Sequence, residues 1–235
     1  MTPQSGLRSL FIPLKDFLFP PVCFACDRHL PDSRQSVCES CWAGIRRVVP
    51  DDPVFLETRA KLLSGGHVDE LAAAFIFEKE GALQSLIHQL KYEEMTILGV
   101  ELGKKLGEII ASTMTGTEIL IPVPLHPIKL RERGYNQSEF VCEGIRSVLR
   151  IEQESNLLCR HRYTRSQTTL SVEERKANVL DAFSISKKRS SAASGRTYML
   201  VDDVITTGST IKECARVLHA SGARRVTACV VALAP

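Results

Sequence analysis

The sequence lacks the long apolar runs that mark exported and membrane-spanning proteins. Within residues 1–22, Lys15, Asp16 and several prolines interrupt the apolar residues well short of a signal-peptide core or a membrane span. The chain also lacks internal repeats and a glycine-rich loop ending in Lys-Ser or Lys-Thr, which argues against a P-loop. We therefore expect a globular, cytoplasmic protein with no transmembrane segment.

Charge of one sign and aromatic side chains are also scarce. The formal net charge is only +3, which does not by itself indicate nucleic-acid binding, although basic residues cluster locally. Aromatic residues make up 6% of the chain, so any base-stacking surface would be small. Apolar character is sufficient for a core, because 235 residues with 44% hydrophobic content fit one α/β domain plus a small appendage.

Eight cysteines are present, and without an export signal they favour thiols and metal ligands over disulfides. Cys23-x-x-Cys26 and Cys38-x-x-Cys41 form two knuckles separated by eleven residues. This spacing brings four thiolates within reach of one tetrahedral Zn²⁺, and a site with four cysteine ligands has no open position for catalysis. The sequence thus predicts a structural zinc module, with His29 as an alternative ligand.

Three residues near or outside this module are expected to pack in the interior. Trp42, the single tryptophan, follows the last knuckle and is expected to pack against it. Cys214 and Cys229 lie on apolar faces of their predicted elements, so we expect core residues there and not nucleophiles.

The segment from Tyr198 to Thr210 joins a predicted buried strand to a helix. Its apolar residues end in Asp202 and Asp203, which places two carboxylates at the carboxyl edge of a parallel strand, where open α/β sheets bind ligands. Small and hydroxyl-bearing residues follow, and their amides and hydroxyls suit a phosphate monoester at a helix N-terminus. These loop residues are Thr206, Thr207, Gly208, Ser209 and Thr210.

Two acids beside a phosphate loop suit a ribose 5-phosphate, because carboxylates accept hydrogen bonds from the 2′- and 3′-hydroxyls. A capping box from Thr210 to Glu213 predicts the start of the following helix, and Gly222 predicts its end. Two alternatives stay open at this point: solvated acids on an ordinary strand-turn-helix, and a magnesium-binding acidic pair from another phosphotransfer fold.

The rest of the chain predicts a parallel sheet flanked by helices. Further strands are predicted over residues 71–77, 119–123, 183–185 and 227–233, and helices over residues 81–92, 98–114 and 138–149. Residues 44–70 are expected to be irregular and to contain the join between an N-terminal segment, residues 1–60, and a larger domain, residues 68–235. A long polar segment near residues 160–178 is expected to be functional or disordered.

Several motifs together resemble the ComF family, whose members join a four-cysteine zinc module to a type I phosphoribosyltransferase-like domain. Residues 198–210 are similar to the loop that binds phosphoribosyl pyrophosphate (PRPP) in type I phosphoribosyltransferases. The other matching segments are the two cysteine knuckles, Leu90-Lys91-Tyr92, Pro122-Val-Pro-Leu-His126, Arg131-Glu-Arg133-Gly-Tyr135-Asn136-Gln137, Thr164-Arg-Ser-Gln167 and Arg175-Lys-Ala-Asn178. The resemblance spans nearly the full chain.

The resemblance implies a cytoplasmic protein associated with DNA uptake in natural transformation, with a domain suited to phosphoribosyl transfer from PRPP and release of pyrophosphate. Asp202 and Asp203 would contact the ribose and the following loop its 5′-phosphate, while Mg²⁺ would bridge ribose hydroxyls and pyrophosphate. Arg133 joins the two acids as a catalytic candidate. The candidates for binding pyrophosphate are Lys91, His126, Lys129, Arg131 and Arg133, for which a solvated surface is the alternative.

Two non-catalytic functions are alternatives to an enzyme whose acceptor the sequence does not name. In a single-stranded DNA-binding protein, basic loops would hold phosphates and Tyr135 and Tyr163 would stack on bases. In a PRPP-sensing regulator, the zinc module would contact protein partners, including other competence proteins. The polar segment near residues 160–178 has three possible roles: it closes over a ligand, contacts nucleic acid or forms plain surface. Its candidate residues are Arg162, Arg165, Gln167 and Arg175.

Overall fold

A computed structural model describes residues 20–32, 35–113, 116–117, 119–162, 181–186 and 194–235. Its strands, numbered along the chain, are β1 (Glu70–Ile76), β2 (Ile119–Pro122), β3 (Glu152–Gln153), β4 (Leu158–Arg160), β5 (Phe183–Ile185), β6 (Thr197–Ile205) and β7 (Arg225–Leu233). Five of them form a parallel sheet in the order β1-β7-β6-β2-β3, and β4 and β5 form a separate antiparallel pair. The predicted parallel α/β architecture is confirmed.

Helices cover both faces of the sheet. Within the described residues they are α1 (Glu39–Gly44), α2 (Pro53–Leu63), α3 (Ala82–Tyr92), α4 (Thr96–Ile110), α5 (Pro127–Arg133), α6 (Gln137–Leu149) and α7 (Ser209–Ala220). Helices α3, α4 and α6 share one core with the cysteine module, and α2 and α7 share the other with the β4-β5 pair. The sheet therefore separates two hydrophobic cores.

The central strands β6 and β7 are nearly continuous apolar runs, as expected for strands that are covered on both faces. Their side chains alternate between the two cores. Leu200 and Val230 face the core with α2 and α7, whereas Val201 and Cys229 face the core with α3, α4 and α6. Cys229 is fully buried, as is Cys214 of α7, which confirms the core positions predicted for both thiols.

Helices α4 and α6 cross at very short range, and glycine permits it. An added Cβ at Gly103 would lie 2.1 Å from the carbonyl oxygen of Val141, and one at Gly144 would lie 2.2 Å from the carbonyl oxygen of Val100. Backbone atoms cannot move aside as a flexible side chain can, so these two positions require glycine. The crossing fixes α6, whose first turn carries a residue of the candidate site.

The prediction of irregular structure over residues 44–70 is wrong for Pro53–Leu63, which forms α2. Asp52 caps this helix by accepting a hydrogen bond of 2.9 Å from the amide of Val54, and Pro53 occupies the first helical position. The prolines that suggested an irregular join thus mark a helix start. The helix runs across the predicted boundary at residue 60 and buries Leu62 in the core.

The predicted capping box at the start of α7 is also wrong. The helix is preceded by Gly208 in the left-handed conformation, and the Glu213 carboxylate instead accepts hydrogen bonds from the Arg216 guanidinium and the Asp181 amide. Helix α4 begins at Thr96 and ends at Ile110, earlier than predicted at both ends. Residues 1–19, 163–180 and 187–193, which include most of the polar segment, lie outside the described residues.

Candidate functional site

The carboxyl end of β6 carries two neighbouring acids, and the buried one, Asp203, forms an ion pair. The Asp203 side chain is 4% exposed, and its Oδ2 atom lies 2.5 Å from Nζ of Lys91, which is 24% exposed. Lys91 is the penultimate residue of α3, so the helix end delivers an ammonium group to the acidic end of the central strand.

Asp202 is held by groups of the neighbouring backbone and helix. Its Oδ1 atom accepts a hydrogen bond of 3.1 Å from the Ser138 hydroxyl in the first turn of α6 and one of 2.9 Å from the Asp203 amide. The side chain is half-buried. The carboxylates expected from the sequence therefore lie together at the sheet edge, and each is oriented by a different helix.

The two acids differ in how readily they hold a proton. Burial and, next, the negative charge of Asp203 raise the pKa of Asp202 to about 7. Burial also acts to raise the pKa of Asp203, but the Lys91 ammonium outweighs it and holds that pKa below its usual value. For Lys91, burial acts to lower the pKa, and the attraction of Asp203 leaves it raised. The site thus combines an ionised carboxylate with one that titrates near neutral pH.

The hydroxyl-rich loop after β6 turns sharply into α7. Gly208 has φ 73°, in the left-handed region that glycine adopts without strain, and an added Cβ would lie 2.6 Å from Cδ2 of Leu62. The Thr207 and Ser209 hydroxyls lie 3.0 Å apart. Two hydroxyls therefore lie together at the start of a twelve-residue helix, and a helix start favours an anion.

The remaining predicted basic residues lie on or beside α5. His126 caps α5 by accepting a hydrogen bond of 3.2 Å from the Ile128 amide, and Lys129 lies 2.9 Å from Glu132. Arg131 is exposed. Arg133, the last residue of α5, donates to the Gln137 side chain, and its guanidinium carbon lies 5.5 Å from the centroid of the Tyr92 ring.

Sequence reasoning missed two residues that organise this end of the fold. Ser138 holds Asp202, and Asn136 caps α6 by accepting a hydrogen bond from the Ser138 amide while its Nδ2 donates to the Val123 carbonyl over 3.0 Å. An Asn-Gln-Ser sequence before an amphipathic run is a helix-start signal that could have identified Asn136. The Ser138–Asp202 contact spans 64 residues and has no local signal.

Tyr135, considered from the sequence as a stacking residue, is engaged within the fold. Its hydroxyl donates to the Leu90 carbonyl, and its ring packs edge-on against Phe140 with centroids 5.6 Å apart. The ring is half-buried. Tyr135 therefore ties the start of α6 to the end of α3, and Tyr163 lies outside the described residues.

The four knuckle cysteines converge as predicted. The Sγ atoms of Cys23, Cys26, Cys38 and Cys41 all lie within 4.8 Å of one another, and those of Cys26 and Cys38 are 3.8 Å apart. Tetrahedral coordination with Zn–S bonds of about 2.3 Å requires sulfur atoms about 3.8 Å apart. The donor set and its spacing thus fit a structural zinc ion.

Neighbouring donors support thiolates at this cluster. Arg28 Nε donates to Cys26 Sγ over 3.4 Å, and the Cys38 amide donates to Cys23 Sγ over 3.3 Å. The hydrogen bond with Ser40 lowers the pKa of Cys38 to about 6. Cys41 differs, because burial opposes its ionisation and raises its pKa to about 12. A metal ion would complete the shell that these contacts orient.

The cysteine module docks on the face of the sheet domain that carries α3 and α4. Trp42 is 8% exposed, which confirms its predicted burial, and it stacks on Phe75 of β1 with ring centroids 6.2 Å apart, so the partner shown lies in the sheet and not in the knuckle. Gln89 of α3 donates to the Phe24 carbonyl over 2.7 Å. The helix that delivers Lys91 to the acids therefore also contacts the cysteine module.

Comparison with known proteins matches the two parts of the chain separately. Residues 67–235 match the phosphoribosyl transferase domain family, and residues 14–53 match the double zinc ribbon domain. The second match supports the structural zinc site. Across the described residues, none of the helices combines the length and apolar character needed to cross a membrane.

Curated relatives carry names from DNA utilization and competence. The DNA utilization protein YhgH of Shigella flexneri is 36% identical over 61% of this chain and 64% of its own length, so the match covers just under two thirds of that relative. The YhgH of Salmonella typhimurium is 28% identical over 88% of this chain and 94% of its own. Competence protein F of Haemophilus influenzae is 36% identical over 46% of this chain and 47% of its own.

Among solved structures, the glutamine PRPP amidotransferase of B. subtilis covers 61% of this chain and 30% of its own, with 20% identity and a TM-score of 0.41. Nothing about function follows from a likeness at that level.

Proposed function

We propose, since this chain belongs to the ComF family of proteins with a phosphoribosyl transferase domain, that the carboxyl end of β6 binds PRPP. Asp202 and Asp203 would accept hydrogen bonds from the ribose hydroxyls, and the loop from Thr206 to Thr210 would hold the 5′-phosphate. The observation that carries this proposal is the joint placement, at one strand end, of two oriented acids and a helix start that carries two neighbouring hydroxyls.

The surrounding residues suit the chemistry of phosphoribosyl transfer. Lys91 keeps Asp203 ionised, so this carboxylate can accept a ribose hydroxyl. An acceptor nucleophile would form a bond to C1 while the bond from C1 to the pyrophosphate oxygen breaks, its electron pair leaving with pyrophosphate and the acceptor losing a proton. Arg133 would stabilise the departing charge, with His126, Lys129 and Arg131 as further pyrophosphate contacts.

Mg²⁺ belongs to the proposal as a companion of PRPP. A hard cation neutralises phosphate oxygens and, when bound, would favour departure of pyrophosphate. Asp202, with a pKa near 7, would be ionised in the presence of such a cation and would orient the ribose beside it.

The proposal keeps the two units predicted from the sequence. They are the N-terminal segment with its zinc module, residues 1–60, and the transferase-like domain, residues 68–235, in a cytoplasmic protein.

The test is calorimetric titration of PRPP with Mg²⁺ into the zinc-loaded full chain, with pyrophosphate release monitored in parallel. We expect binding by the wild-type protein and its loss in the variant with Asp202→Ala and Asp203→Ala, because both ribose acceptors are removed. Asp51→Asn removes an exposed carboxylate elsewhere and serves as the control.

Absence of Mg²⁺–PRPP binding by the folded wild-type protein would overturn the proposal. Equal binding of Mg²⁺–PRPP by the wild-type and double-variant proteins would show that Asp202 and Asp203 do not contact the ribose. Loss of binding in Asp51→Asn would show that overall charge, and not the site, governs the titration.

Single-stranded DNA binding is the second candidate function. Relatives named for DNA utilization and competence favour it, as do the basic residues of α5. DNA binding that falls steeply with added salt and survives in the Asp202→Ala plus Asp203→Ala variant would support a binding protein. Loss of pyrophosphate release in the same variant would support an enzyme. A protein partner that binds only in the presence of PRPP would instead indicate a PRPP-sensing regulator.

A further inference from the structure

The described part of the chain leaves one aromatic ring open to solvent. Among its Phe, Tyr and Trp side chains, Tyr92 alone is exposed, with 68% of its surface accessible. The others are half-buried or buried, including Tyr135, Tyr198 and Trp42. This exposed ring belongs to the residue that directly follows Lys91 of the candidate site.

The Tyr92 ring is held by two neighbours. The guanidinium carbon of Arg133 lies 5.5 Å from the ring centroid, within the range of a cation–π contact, and the His88 ring lies one helical turn away with centroids 4.9 Å apart. Arg133 is itself oriented by donating to the Gln137 side chain. An exposed ring whose orientation is fixed in advance loses little entropy on stacking with a planar ligand.

Tyr92 also lies next to a residue of the proposed ribose site along the chain. Tyr92 directly follows Lys91, whose ammonium lies 2.5 Å from Asp203, and Arg133 acts electrostatically on the same ammonium. One residue of α3 thus reaches the acids while the next presents an aromatic face.

We propose that Tyr92, with Arg133 and His88 beside it, is a stacking platform for a nucleobase. The base is either a free acceptor or part of a single-stranded nucleic acid, because every base presents the same kind of planar face. Arg133 would supply the cation next to the stacked base, and exposed Arg131 would face phosphates of a strand. The inference rests on the proposed ribose-phosphate site only for its location.

The test compares Tyr92→Ala and Tyr92→Phe in the zinc-loaded full chain at one fixed salt concentration. Probes are a short fluorescein-labelled oligothymidylate, an abasic strand of the same length and label, and each of the four free bases adenine, guanine, cytosine and uracil with Mg²⁺–PRPP present. We expect Tyr92→Ala to weaken base-containing probes at least about fivefold, with Tyr92→Phe close to the wild-type protein. Leu56→Ala, which truncates a side chain that is 49% exposed on α2, is the matched control.

Which probes respond identifies the source of the base. Weakening confined to oligothymidylate assigns the platform to a strand, and weakening confined to one free base assigns it to an acceptor. Equal weakening of the abasic strand, or unchanged binding of every base-containing probe in Tyr92→Ala, would overturn the platform. Failure of the wild-type protein to bind any base-containing probe would also overturn the stacking platform. That result leaves the proposed function intact, because only the absence of Mg²⁺–PRPP binding overturns the proposed function.

Discussion

The cysteine module and the acidic end of β6 gather polar groups by opposite means. In the module, four thiols come from two short knuckles within one stretch of 19 residues, so local turns and a metal ion suffice. At the acidic end, Lys91, Ser138 and Asp203 come from three distant segments and meet only because the helices pack on the sheet. The module should therefore depend on its metal, and the acidic end on the packing around it.

Removing a zinc ligand should have the largest effect. Binding of a structural zinc ion contributes about 10–16 kcal/mol in small metal domains, so Cys23→Ser should abolish stoichiometric zinc and unfold the module. Because Trp42 and Phe75 share a core, the sheet domain should lose stability as well. Zinc content and the thermal transition followed by Trp42 fluorescence measure both effects. The exposed Cys159→Ser is the control, and a fully zinc-loaded Cys23→Ser variant would refute the ligand assignment.

Breaking the buried ion pair tests the other region. Lys91→Met leaves Asp203 without its cation next to Asp202, and we expect a loss near the lower end of about 3–5 kcal/mol in unfolding free energy, because Lys91 is partly exposed. Urea unfolding of the wild-type and Lys91→Met proteins measures this loss of unfolding free energy. Lys105→Met, which removes a more exposed pair with Glu108, should cost less than about 1 kcal/mol.

Adding Asp203→Asn to Lys91→Met should recover part of that loss, because the buried charge is then gone. Equal effects of Lys91→Met and Lys105→Met would contradict a buried ion pair.

A glycine comparison measures how tightly the phosphate loop is packed. Gly208 and Gly66 have φ 73° and 67°, so Gly→Ala at either introduces similar backbone strain, about 1–2 kcal/mol. Only at Gly208 does the new methyl meet Leu62, and we expect a further loss of about 1 kcal/mol or more there. Thermal unfolding of the two variants gives the difference, and equal losses would show that Leu62 moves aside freely.

The titration of Asp202 should give a modest effect that depends on pH. Its pKa is raised from 3.8 to about 7 in the folded protein, so the stability that this group contributes is complete below about pH 4 and is lost as pH rises through 7. Relative to Asp202→Asn, the wild-type protein should lose about 1–2 kcal/mol of unfolding free energy over that window, less than the full shift implies because the side chain is half-buried. A difference that does not change with pH would contradict the raised pKa.

Predictions from local sequence patterns are confirmed where the residues of a pattern lie within a few positions of one another. The cysteine spacing predicted the cluster, and the apolar runs predicted the parallel strands of the central sheet. Predictions from such patterns are wrong where the same residue type is compatible with two different local structures. The prolines near residue 53 suggested an irregular join but begin α2, and Glu213 suggested a cap but pairs with Arg216.

The sequence by itself determined the residue types at the acidic strand end, the anion-suited loop and the thiol ligands, because each is a short-range pattern of chemistry. Only the tertiary structure decided that Lys91 pairs with Asp203, that Ser138 orients Asp202 and that Tyr92 stays exposed while Tyr135 does not. Those outcomes depend on helices α3 and α6 meeting the end of β6. Their relative position is set by the side-chain packing and close backbone contacts of the whole core, which no local pattern specifies.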